Sequence, residues 1–135
     1  MKRVALDTSV AVPLVIRNHD DHRAVRSRIG SRIVTMTAHS LAETYSVLTR
    51  LPGDARVLPN DAARLLGSGF APPLLLDPDV AAVLPEVLAN HGIAGGAVYD
   101  ALVALAVKGS DATLLTRDQR AAATYSVLNV PVEFV

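Results

Sequence analysis

The sequence of 135 residues has no cysteine and no tryptophan, and only 4% of its residues are aromatic. Without cysteine, the chain has no disulfide scaffold, no thiolate zinc site and no thiol nucleophile. Thirteen basic and thirteen acidic side chains give a formal net charge of zero, so nucleic-acid binding would rest on a local basic patch. The side chains left to hold a metal ion are carboxylates and imidazoles.

Long uncharged runs are also missing. The basic N-terminus is followed by apolar residues, as in a signal peptide, but Asp7 interrupts that run, Pro13 breaks its second half, and no small-residue cleavage site follows. The apolar stretch 93–107 is too short to span a bilayer and carries Asp100 in its middle. We therefore expect a cytoplasmic protein that folds as one domain over residues 1–135.

Short apolar runs alternate with helical patterns along the chain. Strands are predicted at 4–6, 33–35, 74–76, 113–115 and 130–135, and helices at 9–16, 20–29, 37–51, 59–70, 77–90, 97–108 and 119–125. Pro85 should kink or split the helix at 77–90. In the helix at 37–51, the apolar stripe is Leu41, Tyr45 and Leu48. This alternation predicts an α/β sandwich with a mostly parallel sheet.

Four of the acidic residues stand in unusual settings. Asp7 and Asp118 each follow a predicted strand, and in open parallel sheets binding sites form at the carboxyl ends of the strands. Glu43 is the only acid of its predicted helix, and Asp100 is the only charged residue in the run 93–107. An ionised carboxylate on such an apolar helix is costly unless something pairs with it.

Each acid also has an ordinary structural explanation. Asp7 and Asp118 are well placed to cap the helices that follow them. Glu43 fits a solvated outer helix face, and Asp100 would be a cap if its helix began one turn later. The combination favours a common site, because close carboxylates raise each other's pKa unless a cation neutralises them. Carboxylate oxygens select hard ions, so the pattern predicts Mg²⁺ or Mn²⁺ and metal-assisted phosphodiester hydrolysis.

The segments around these acids, in their order and spacing, resemble those of PIN-domain ribonucleases, specifically the VapC toxins of type II toxin–antitoxin systems. The matching segments are residues 6–9, 41–45, 99–102 and 115–118, so the resemblance covers nearly the whole chain. It implies a PIN-like three-layer α/β/α sandwich with Mg²⁺-dependent endoribonuclease activity on RNA. It also implies a homodimer that is inhibited by a cognate antitoxin, a small DNA-binding protein encoded beside it, and an exposed apolar patch on the first two helices is the candidate site for that antitoxin.

The resemblance also assigns the site. Asp7, Glu43, Asp100 and Asp118 are implied as the catalytic, metal-binding acids. Among them, Asp7 and Asp100 are expected to be direct ligands, while Glu43 and Asp118 act through water or position a second ion.

Hydroxyl groups beside the first and last acids often support the site in this family. Thr8, Ser9 and Thr116 match those positions. Family members often carry an aromatic residue soon after the last acid. Here the first one is Tyr125, so we expect the packing of the final helix to differ.

Basic residues offer two further interpretations. Arg117 and Arg120 flank Asp118 and are placed to meet a substrate phosphate or to pair with the acids. A second group crowds the second helix region: Arg17, Arg23, Arg26, Arg28 and Arg32. It either contacts RNA phosphates or forms a solvated face balanced by acids at 20 and 21.

Other functions fit less well. A phosphatase of the haloacid dehalogenase kind needs a second acid two positions after the first, where this chain has Ser9. A receiver domain has paired acids where this chain has Asp7 alone. The remaining alternative is a catalytically inactive PIN-like module that binds RNA or a protein partner. Since inactivation should remove at least one acid, the presence of all four favours the enzyme.

Overall fold

Strands and helices alternate along residues 2–135, the part of the chain that the structure, a computed structural model, describes. The strands are β1 (Arg3–Leu6), β2 (Ile33–Met36), β3 (Thr113–Thr116) and β4 (Val132–Phe134). The helices are α1 (Thr8–Val15), α2 (His22–Ile29), α3 (Ala38–Thr49), α4 (Pro59–Gly67), α5 (Pro78–Ala82), α6 (Leu84–Asn90), α7 (Ala97–Lys108) and α8 (Gln119–Val127). A short 3₁₀ turn covers Gly53–Ala55.

The strands form one parallel sheet in the order β2-β1-β3-β4. In the register of the two central strands, Leu6 pairs with Leu115, so β1 and β3 end almost level with each other. The residues that follow them, Asp7 and Arg117–Asp118, therefore emerge side by side at one edge of the sheet.

Alternating side chains of the central strands face opposite layers of helices. Ala5 and Leu114 pack with buried residues of α7 and α8. Leu6 and Leu115 pack on the other side with buried residues of α1 and α2. The predicted three-layer α/β/α sandwich is confirmed, and its sheet is parallel throughout.

The predicted strand at 74–76 is wrong. Leu74 makes one isolated bridge to Thr37, and Leu75 is largely exposed. Two prolines precede Leu74 and have no N–H to donate to a ladder. Asp77 then caps α5, which leaves only one apolar residue of this segment able to pair.

The helix predicted at 77–90 is divided into α5 and α6, which meet at Val83 beside Pro85, so the predicted split is confirmed. The predicted stripe of α3 is partly wrong, because Tyr45 is exposed. The helix instead buries Ser40, Thr44 and Leu48. Within residues 2–135 no helix is long and apolar enough to cross a membrane.

Candidate active site

The four acids line one small cavity at the carboxyl ends of β1 and β3. Its volume is about 40 Å³. We call it the acidic cavity, and its lining residues are Asp7, Thr8, Ser9, Ser40, Glu43, Asp100, Val103, Asp118, Ala121 and Tyr125. The structure thus brings together all four acids together with two of the three predicted supporting hydroxyl residues, and the third, Thr116, bonds to Asp7 from just behind.

Asp7 is the most restrained of the four acids. It is only 5% exposed and caps α1 by accepting a hydrogen bond from Ser9 N at 3.1 Å. The same oxygen, Oδ1, accepts from Ser9 Oγ at 2.5 Å. Its Oδ2 accepts from Thr116 Oγ1 at 2.5 Å and from Tyr125 Oη at 2.9 Å. A carboxylate has about four lone-pair sites, so these donors occupy all of them.

Burial raises the pKa of Asp7, and the hydrogen bonds from Ser9, Thr116 and Tyr125 act in the opposite direction without cancelling it. The pKa of Tyr125 is also raised, first by burial and then by the charge of Asp7 beside it. The phenol therefore keeps its proton at neutral pH and acts as a donor to Asp7.

Asp118 is fixed by the helix that follows it. As the cap of α8, its Oδ1 accepts from Arg120 N at 2.9 Å and from Ala121 N at 3.4 Å. Its own N–H donates to Thr116 Oγ1 at 3.0 Å, so one hydroxyl connects the first and last acids. The capping explanation holds for Asp7 and Asp118, and it is compatible with the common site because the cap geometry places both carboxylates at the cavity.

Glu43 and Asp100 reach the cavity from the middle of α3 and the first turn of α7. Since α7 begins at Ala97 with Gly96 as its cap, the explanation of Asp100 as a helix cap is wrong. Burial raises the pKa of Asp100, and the negative charges of Asp118, Glu43 and Asp7 raise it further. These charges therefore act on one another through the cavity. A cation placed among these carboxylates would reduce that mutual repulsion.

The surroundings of Glu43 include an unusual histidine. His39, one turn earlier on α3, has its Nε2 at 3.7 Å from Glu43 Oε2. That nitrogen is buried, and no group within residues 2–135 forms a hydrogen bond with it. The imidazole stacks on Tyr99, with ring centroids 5.7 Å apart and planes 10° from parallel.

Sequence reasoning missed two residues of the site. Tyr125 lies seven positions after Asp118, about two helical turns, so both face the cavity from the same side of α8. The expected difference in packing of this helix takes a specific form, since Tyr125 is 1% exposed and bonded to Asp7. Ser40 is in helical phase with Thr44, whose hydroxyl lies 3.2 Å from Thr8 Oγ1. The spacing of Ser40 and Thr44 relative to Leu48 was the available sequence signal, because it places both hydroxyl residues on the buried face of α3.

The donor chemistry of the cavity fits a hard divalent cation. As the side chains stand, no three histidine, aspartate or glutamate groups among residues 2–135 lie close enough together to share one ion. Mg²⁺ does not require such a cage, because it keeps several waters and binds through one or two carboxylates. Asp118 Oδ2 and the carboxylates of Glu43 and Asp100 accept no hydrogen bond from the described residues, which leaves oxygens free for this purpose.

The arginines flanking Asp118 differ in their environment. Arg117 is bonded to Asp21 at 2.7 Å, whereas the side chain of Arg120 is 94% exposed and lies 3.7 Å from Asp118 Oδ1. A role for either in contacting a substrate phosphate stays a prediction. Of the second arginine group, Arg28 and Arg32 pair with Glu133.

We expect Tyr125→Phe to lower the free energy of unfolding by about 1–3 kcal/mol in metal-free buffer, because the buried Asp7 Oδ2 loses a donor. Urea unfolding followed by circular dichroism measures this change. Tyr45→Phe is the matched control, since Tyr45 is exposed. Equal stability changes in the two variants would contradict the role given to Tyr125.

We expect Asp100→Asn to raise the Tm of the metal-free protein at pH 7 by roughly 2–5 °C, since it removes a desolvated charge repelled by three others. Because the pKa of Asp100 is raised in the fold, wild type loses stability as pH rises through that pKa. The gap between the two proteins should therefore close as the pH falls toward 4. The exposed Asp20→Asn should give no such pH-dependent gap in thermal melts.

Comparison of the chain with known proteins identifies its family. Residues 4–127 match the PIN domain. The chain is 55% identical to Ribonuclease VapC27 of Mycobacterium tuberculosis over 129 residues, which are 96% of this chain and 94% of the relative. The fold matches VapBC2 from Rickettsia felis, bound to a DNA fragment from their promoter, with a TM-score of 0.67, 16% identity and 98% of both chains covered. It also matches VapBC-5 from Mycobacterium tuberculosis, a member of the VapBC family of toxin–antitoxin systems, with a TM-score of 0.58, 23% identity and coverage of 100% and 98%. The chain therefore belongs to the PIN-domain family and, within it, to the VapC ribonucleases.

Proposed function

We propose that this protein is a Mg²⁺-dependent endoribonuclease that hydrolyses RNA phosphodiester bonds as the toxin of a toxin–antitoxin pair. The observation that carries the proposal is the convergence of four carboxylates from β1, α3, α7 and the end of β3 on one cavity. The relative named Ribonuclease VapC27 supports RNA as the substrate. A cytoplasmic homodimer, as the family resemblance implies, is part of the same proposal.

Asp7, Glu43, Asp100 and Asp118 would hold the ion, with Mn²⁺ as a substitute. Bound there, Mg²⁺ would polarise the phosphoryl oxygen of the substrate and lower the pKa of a water molecule. Direct coordination by Asp7 requires one of its four hydrogen-bond donors to turn away. Among these donors, Ser9 Oγ already lies 3.4 Å from Thr116 Oγ1, a second partner that it could bond instead.

Asp118 and Glu43 are restrained differently, and we assign them different roles in the reaction. The amides that cap α8 use only Oδ1 of Asp118, so its Oδ2 is available to orient the attacking water. Among residues 2–135, Glu43 is held only by the long contact to His39, and its carboxylate can accept the proton of that water. Thr8, Ser9 and Thr116 support these carboxylates by fixing the backbone and the oxygens around Asp7.

A second, larger cavity fits the antitoxin. It measures about 700 Å³ and lies among α1, α2 and α4; we call it the helical groove. Its apolar lining includes Leu14, Ile29, Val34, Leu65 and Phe70, and its basic lining includes Arg17, Arg23 and Arg26. Three arginines of the second group therefore border an apolar groove rather than the acidic cavity. An amphipathic antitoxin segment with carboxylate side chains complements such a surface.

The nuclease is tested by incubating the purified chain, free of antitoxin, with total bacterial RNA in Mg²⁺ or in EDTA. We expect discrete fragments in Mg²⁺ only, and a loss of about 100-fold or more in Asp7→Asn and Asp100→Asn. Asp100→Asn is the sharper control, because we expect it to remain folded. The exposed Asp20→Asn should cleave like wild type.

If the RNA stays intact, a thermal melt with Mn²⁺ distinguishes a narrow substrate range from an inactive site. Stabilisation by Mn²⁺ that Asp100→Asn abolishes is expected of a metal site. Intact RNA with that stabilisation would indicate a narrow substrate range. Intact RNA without it would overturn the nuclease in favour of the catalytically inactive module that binds RNA or a protein partner.

The helical groove is tested with Leu65→Asp, which places a charge among its apolar residues. We expect inhibition by the antitoxin to weaken about tenfold or more while RNA cleavage is unchanged. Leu58→Asp is the matched control, since this exposed leucine precedes the same helix and does not line the groove. Similar inhibition constants for the two variants would rule out the groove as the antitoxin site.

A further inference from the structure

An exposed aromatic ring lies one residue before Asp100, which lines the acidic cavity. Tyr99 is 58% exposed in a chain with only three tyrosines and two phenylalanines. It immediately precedes Asp100 on α7, and one face of its ring stacks on His39 of α3. His39 in turn lies one helical turn before Glu43. The stacked pair therefore joins α3 and α7, the two helices that carry Glu43 and Asp100.

His39 lies between the ring of Tyr99 and Glu43, with its Nε2 buried. The two rings are nearly parallel, with centroids 5.7 Å apart, so the stack is offset and restricts the ring of Tyr99 from one side. More than half of Tyr99 stays exposed to solvent. Exposing that much aromatic surface forgoes the burial that stabilises the other site tyrosine, Tyr125.

A polyanionic substrate meets unfavourable electrostatics at this place. Four carboxylates face the cavity, and the chain as a whole has no net positive charge. Arg117 is already bonded to Asp21. A bound cation and the exposed Arg120 beside Asp118 offset part of the repulsion, and a stacking contact adds affinity that does not depend on charge.

We propose that the exposed ring of Tyr99 is a stacking platform for one base of single-stranded RNA beside the cleaved phosphodiester. Bases of single-stranded RNA stack on exposed aromatic rings, and each such contact contributes about 1–3 kcal/mol with little preference for sequence. The platform rests on the proposed function for its position next to the reaction. It supplies a neutral, salt-insensitive contact one residue away from Asp100.

The alternative is that the stack only ties α3 to α7. A purely structural role and a stacking platform predict different effects of substituting Tyr99. The tie predicts that loss of the ring lowers Tm without a specific effect on RNA. The platform predicts that RNA binding follows the presence of an aromatic ring at residue 99 in variants that remain folded, whatever the change in Tm from the lost stack on His39.

The test measures binding of short single-stranded RNAs that carry the fluorescent base 2-aminopurine at successive positions. The Asp100→Asn background prevents cleavage during the titration. We expect the 2-aminopurine fluorescence to be quenched at one position, equally with Tyr99 and with Tyr99→Phe. Tyr99→Leu should lose that quenching and bind about tenfold or more weakly, by the same factor at low and high salt. A second variant, Tyr99→Gln, removes the aromatic face with a polar side chain.

Tyr45→Leu is the matched control, because Tyr45 is exposed and lies two residues after Glu43 on α3, so it is on a different face of that helix. Unchanged affinity and quenching in folded Tyr99→Leu and Tyr99→Gln would overturn the platform. Cleavage by wild type in the RNA assay together with that result would leave the nuclease standing and the platform refuted. Tyr99-dependent binding with neither cleavage by wild type nor stabilisation by Mn²⁺ would support the base contact and overturn the nuclease.

Discussion

The site depends on one buried anion, the carboxylate of Asp7. Removing a charge from water is unfavourable, and the fold offsets the penalty with donors from three elements: Ser9 of α1, Thr116 of β3 and Tyr125 of α8. These bonds connect the end of the central strand to helices on both layers of the sandwich. Burial nevertheless leaves the pKa of Asp7 above its usual value. Carboxyl groups whose pKa values are strongly perturbed cluster at functional sites, and the position of Asp7 in the acidic cavity agrees with that tendency.

The other acids are placed by two different devices. Asp118, like Asp7, is fixed because it caps the helix that follows its strand. Glu43 and Asp100 are carried on helices whose packing brings them to the same cavity. Capping and chemistry are therefore not rival explanations, because a capping carboxylate at a strand end needs only one oxygen for the cap. The repulsion that raises the pKa of Asp100 is the physical reason for proposing that the four acids bind a cation.

Local signals predicted most of this arrangement. The acids after β1 and β3, the split at Pro85 and the parallel sandwich follow from strand ends, proline geometry and alternation. The segment 74–76 was misread because its apolar run has the composition of a strand, while the two prolines before it cannot donate to a ladder. The bond from Tyr125 to Asp7 joins residues 118 positions apart. No periodicity encodes such a contact, since it exists only once the sheet has placed α8 beside the end of β1.

One helix connects the two cavities. The first residues of α1, Thr8 and Ser9, line the acidic cavity, whereas its last residues, Leu14 and Val15, line the helical groove. Within residues 2–135 it is the one element that contributes to both. A partner seated in the groove thus contacts the same eight-residue helix whose first turn holds Asp7. Since Ser9 of α1 donates two hydrogen bonds to Asp7, a small displacement of α1 along its axis would alter the bonds to that carboxylate, and the proposed antitoxin site is therefore coupled to Asp7 through a single helix.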